Sequence, residues 1–165
     1  MERSLRSRSG PSLHPTDVIF DRISQRLLIC DRKNRRVVRW SLRDDTAHGE
    51  TIIRDIDCNC LTIDRRNRLY VTDVVKHAVI RWQLDDLQGT VVAGGNGQGY
   101  GLNQFNYPTF VFVDQNYSVY VSDYDNHRVM KWTKNAEAGV VVAGGSGSGP
   151  SRSQLSYPCG VIVDH

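Results

Sequence analysis

His77 and His127 stand 50 residues apart in matching local settings, KHA and NHR. Imidazoles repeated in this way can build a metal site, because neutral ring nitrogens from successive structural units can converge on one ion. The same place in an earlier stretch is Arg35, however, and a catalytic site is expected to break a repeating pattern rather than follow it, so no metal is assigned to these histidines. Cys58 and Cys60 lie two apart with no second pair at zinc-ligand spacing. Together with Cys30 and Cys159 they lack the density of a disulfide framework and are expected to be incidental thiols. The runs AGGNGQGYG (93–101) and AGGSGSGP (143–150) offer phosphate-cradling amides, but a phosphate loop needs a helix starting directly after the glycines. Here NQFNYPTFVFVD and SQLSYPCGVIVD lead into strand-like sequence, so a structural turn is expected. No nucleophile, base and orienting acid share a plausible geometry, and no cofactor is called for.

The elements that hold these residues emerge from a repeat. The stretch from Tyr107 to Trp132 reads YPTFVFVDQNYSVYVSDYDNHRVMKW and is followed by GVVVAGG at 139–145. Earlier copies run from Leu13 to Trp40 and from Asp57 to Trp82, and a later one opens with YPCGVIVD at Tyr157. Three registers tie the copies together: Asp21, Asp64, Asp114 and Asp164; Asp31, Asp73 and Asp123; Trp40, Trp82 and Trp132. Within a copy, short runs such as VFV, VYVS, RVMKW and VVVA are rich in β-branched and aromatic residues and end at Asp, Asn or Gly, which predicts four strands per repeat. No window shows helical periodicity with caps at both ends. Four short antiparallel strands per 40 to 50 residues describe a blade of a β-propeller.

The string DNHRVMKW, with VYVSD before it and VVAGG after it, resembles the NHL repeat, and the resemblance extends from Leu13 to Asp164. It implies an all-β fold, a β-propeller of NHL-type four-stranded blades, three blades plus the first strand of a fourth in an incomplete ring. The expected layout is a disordered basic tail over 1–12, blade 1 over 13–56, blade 2 over 57–106, blade 3 over 107–156 and the first strand of a truncated blade 4 over 157–165. NHL propellers close with six blades, so a fragment is expected, with the remaining blades of a longer chain or another copy completing the ring. Alone, the chain should be poorly soluble or oligomeric, because open blade faces and free strand edges invite association.

In such a blade the turns between strands 2 and 3 and the crossings to the next blade gather on one face. Loops on a rigid scaffold are where binding resides. The candidate interaction face therefore comprises Arg32, Lys33, Arg35, Arg36, Lys76, His77, Tyr124, Asp125, Asn126 and His127. The tryptophans are expected to pack between blades, and the repeated aspartates, Asp73 and Asp123 above all, to cap turns. Residues 1–43 carry eleven Lys and Arg against four acids, net +7, while the rest carries ten against fourteen, net −4. That asymmetry raises RNA binding, which the resemblance also implies for propellers attached to ubiquitin-ligase modules, yet the basic residues divide between opposite faces. The leading expectation is a non-catalytic scaffold for a protein partner. The alternatives are part of an enzyme propeller resembling the peptide-amidating lyase, which the resemblance associates with zinc held by histidines, and an RNA-binding or substrate-recruiting propeller of a RING-type ubiquitin ligase. No apolar run approaches the roughly 20 residues of a membrane span. With neither a signal-like leader nor a disulfide pattern, the cytoplasm is slightly favoured.

Overall fold

The computed structural model describes residues 14–42, 49–84 and 86–164. They form three four-stranded antiparallel sheets, each built from strands consecutive in sequence. The first contains β1 (Pro15–Asp21), β2 (Arg26–Asp31), β3 (Arg36–Ser41) and β4 (Gly49–Arg54). The second contains β5 (Cys58–Ile63), β6 (Arg68–Asp73), β7 (Ala78–Gln83) and β8 (Thr90–Gly94). The third contains β9 (Pro108–Val113), β10 (Val119–Asp123), β11 (Arg128–Trp132) and β12 (Val140–Gly144). β5 packs between β1 and β9, so the first strands line the inner edge of an open stack of propeller blades.

The period-two alternation of a strand divides each side chain's loyalty between two neighbouring blades. Leu69 and Val71 of β6, with Ala78, Ile80 and Trp82 of β7, join Leu28, Cys30, Val37 and Ile53 in a core between blades 1 and 2. The intervening Tyr70 and Val79 point the other way, into a core with Val111, Val119, Val121, Met130 and Trp132 of blade 3. The middle blade is thus buried on both faces, which is why RLYVTD and AVIRW carry so little polar alternation.

Trp82 and Trp132 each face the preceding blade. Trp132 is 1% exposed and its ring lies 4.7 Å from that of Phe105, at the end of the crossing from blade 2. The glycines opening the fourth strands seat these rings, since a Cβ on Gly89 would come within 2.4 Å of Trp82 and one on Gly139 within 2.7 Å of Trp132. Trp40 has no preceding blade among the described residues and remains half-buried.

Two expectations are corrected. Cys30 and Cys58 form a disulfide joining β2 of blade 1 to β5 of blade 2, so they are not incidental thiols. Their pairing follows from blade stacking, which brings strands of different repeats together, and no spacing rule within one repeat announces it. Cys60 is a buried free thiol whose ionisation burial pushes far up, which leaves it inert, and Cys159 is free and exposed. The bridge also removes the lack of disulfides as a reason to favour the cytoplasm. Second, residues 158–164 form no strand. Their sequence is strand-like, but a ladder needs a partner strand, and Ile162 stands 85% exposed. The ring does not close: β1 exposes Val18 and Phe20 at one end of the stack, and β12 exposes Val140 and Val142 at the other. The expected basic tail lies outside the described residues.

Candidate functional site

The turns between second and third strands gather on one face, and there the structure separates residues that hold the fold from residues that meet solvent. Asp123 begins the turn of blade 3. It accepts hydrogen bonds from Nδ2 of Asn126 at 2.8 Å, Nε of Arg128 at 2.7 Å and the amide of Asn106 at 2.7 Å. Arg128, 1% exposed, donates three further hydrogen bonds to the carbonyls of Tyr100, Gly101 and Gln104 in the glycine-rich crossing from blade 2. Asn126 donates to Gly99 O in the same loop. The crossing therefore turns carbonyls inward around a guanidinium, a polarity opposite to that of an anion nest.

Blade 1 repeats the turn with Asp31, Asn34 and Arg36, where Nε of Arg36 lies 2.8 Å from Asp31. Burial raises the Asp31 carboxyl, but hydrogen bonds from Arg36, the His14 amide and Asn34 outweigh it and hold the group below its usual range. Blade 2 has Ala78 in place of the arginine, and there Asp73 caps the turn directly, accepting from the amides of Val75 and Lys76. The expected capping role holds for Asp73, whereas Asp123 instead secures side chains and the preceding crossing.

The histidines are joints between blades. His77 Nδ1 accepts from the amide of Tyr107 at 3.5 Å, and His127 Nδ1 accepts from the amide of Tyr157 at 3.2 Å. Both sit in the left-handed region, φ 49° and 52°, and their carbonyls receive the amides of Gly95 and Gly145. In blade 1 the joint becomes an ion pair, Arg35 to Asp57 at 3.5 Å. Among the described residues no three His, Cys, Asp or Glu side chains converge as metal ligands.

What remains for a partner is a smaller set. Lys33, Arg35, Lys76 and Asp125 are exposed, and Lys33 Nζ lies 3.2 Å from His14 Nε2. Arg32 reaches from blade 1 to Asn59 and, at 2.7 Å, to the hydroxyl of Tyr107 in blade 3. Beyond it Tyr107, Tyr124 and Tyr157 stand in a row with ring separations of 6.0 and 5.0 Å. A cavity of about 440 Å³ at the blade 1 end is lined by His14, Thr16, Arg32, Lys33, Arg35 and Asp57. Of the ten predicted residues, Arg36, His77, Asn126 and His127 serve the fold, while Arg32, Lys33 and Arg35 meet at this cavity. Sequence reasoning missed His14, Thr16, Asp57 and Tyr107. The recurring residue before the first strand, His14, Asp57, Tyr107 and Tyr157, was a signal for three of them.

The fold and this face define an open, blade-stacked β-propeller segment. Residues 105–132 match the NHL repeat. No curated protein sequence matches the chain. Among solved structures, it is similar to an auxiliary nutrient binding protein from Bacteroides thetaiotaomicron (TM-score 0.67, 16% identity, 89% of this chain and 42% of that one). It is also similar to a gluconolactonase from Xanthomonas campestris (TM-score 0.61, 16% identity, 73% and 44%). A third similar structure is virginiamycin B lyase from Staphylococcus aureus (TM-score 0.59, 11% identity, 81% and 42%). The chain spans less than half the length of each, and identities this low speak for the fold alone.

Proposed function

We propose that this segment is a non-catalytic docking module for a protein partner that presents acidic side chains. The observation behind this reading is the cavity where Arg32, Lys33, Arg35 and His14 meet a single carboxylate, Asp57, on the face that collects the loops. Like charge concentrated in a concave site raises the local concentration of an oppositely charged partner. The His77 and His127 Nδ1 atoms already accept backbone amides, which weighs against the amidating-lyase alternative. The RNA alternative has less support on this face, because Arg66 and Lys134 in the strand 1–2 and 3–4 turns gather with Arg68 at the start of β6 around Tyr117, on the opposite one.

Fluorescence anisotropy with a Glu-rich peptide, a Lys-rich peptide and single-stranded RNA tests the reading. The Glu-rich peptide should bind most tightly, and Lys33→Glu should weaken it about tenfold, equivalent to about 1.4 kcal/mol. Tighter binding of RNA with a steep salt dependence would replace this reading with the nucleic-acid one.

A further inference from the structure

Repeats carry their own controls, because a position satisfied in one blade can be compared with the same position in the next. In blade 1, Arg39 of β3 stands opposite Glu50 of β4, and the two form an ion pair at 2.9 Å. The equivalent pair in blade 2 is Arg81 of β7 opposite Thr90 of β8. Blade 3 has Lys131 opposite Val140, and Lys131 lies instead over the ring of Tyr120, 5.1 Å from its centroid. Among the described residues no carboxylate pairs with Arg81.

Arg81 and Thr90 both line a cleft of about 300 Å³ between blades 2 and 3. Its apolar surface comes from Val92, Ala93, Val119 and Trp132, with Tyr70 and Tyr117 also in the lining. Lys134 stands over Tyr117, whose ring is also approached by Arg66 at 5.0 Å and Arg68 at 4.8 Å. Two carboxylates oppose these four cations: Asp64, paired with Arg68, and Glu137 in the cleft lining. The volume lies at the lower end of the range for small-molecule sites, which suits a ligand of about ten to fifteen heavy atoms.

We propose that this cleft binds a small organic carboxylate, whose anionic group pairs with Arg81 in the role that Glu50 fills in blade 1 and whose apolar body lies against Val119 and Trp132. The site is independent of the acidic-partner face, and its failure would leave that reading untouched. Guanidinium offers a carboxylate two parallel hydrogen bonds, and a partly buried setting strengthens them.

The test is titration of the 165-residue chain with phenylacetate and with its neutral isostere phenylacetamide, followed by amide chemical shifts. Phenylacetate should bind at about 1 mM, the affinity accessible to so small a ligand. The shifts should centre on Arg81, Gly94 and Asn135, and phenylacetamide should bind at least tenfold more weakly. Arg81→Gln should abolish the preference for the anion. Thr90→Glu, a change on an exposed residue, should do the same by supplying the missing carboxylate from within. Equal binding of acid and amide, an undiminished preference in both variants, or no response up to about 10 mM would overturn the proposal.

Discussion

Arg128 commits every nitrogen of its guanidinium to its own chain, one to Asp123 and two to the blade 2 crossing. The NHR string is therefore structural, although its residue types suggest a ligand set. Arg128→Ala would leave Asp123 as a buried charge without its cation and should cost about 3–5 kcal/mol in urea unfolding. Arg128→Lys keeps the charge but not the planar fork, so it should recover only part of that loss. A second prediction concerns acid. Asp31, Asp64 and Asp114 are all held below the usual carboxylate range, burial raising them and hydrogen bonds more than reversing it. Groups with a lowered folded pKa contribute stability that is present above about pH 4 and lost as the pH falls through the folded values. Melting temperature should accordingly hold from neutral pH down to about 4.5 and drop below that, and a melting point unchanged to pH 2 would contradict the assignment. The aspartates were legible in the sequence because they recur in register. The carbonyl partners of Arg128 were not, because they lie 24 to 28 residues back in another blade.

At the scale of strands, alternation decides what was readable. The short β-branched runs bounded by Asp and Gly marked the strands of the repeats, except that β4, GETIIR, followed only from the count of four strands per repeat. The last run, VIVD at 161–164, looks the same and forms none, since hydrogen bonding between strands is a property of pairs. The packing of the tryptophans was likewise legible, as a bulky residue at one repeated position belongs to the contact between repeats. Trp132→Ala should cost about 3–5 kcal/mol by chemical denaturation, and Trp40→Ala distinctly less because its ring is only half-buried. The Cys30–Cys58 bridge spans 28 residues and locks blade 1 to blade 2. Chain-entropy reasoning assigns such a closure about 3–4 kcal/mol. Reduction, or Cys30→Ser, should lower the melting temperature by about 10 °C. Peptide mapping without reductant should recover the two cysteines linked, and finding both as free thiols would remove the bridge from this account.

The whole molecule is a stack with two ends. Its middle blade is buried on both faces, while its outer blades each leave one face without a neighbour, marked by Val18 and Phe20 on one side and Val140 and Val142 on the other. Exposed β-branched faces and free strand edges are surfaces that other blades would cover. The similar solved propellers are more than twice as long as the region they share with this chain, which fits a unit with open ends. Sedimentation velocity of the 165-residue chain across a concentration series tests this most directly. The open stack predicts association that grows with concentration; a single monomeric species at every concentration, melting in one cooperative transition, would contradict it.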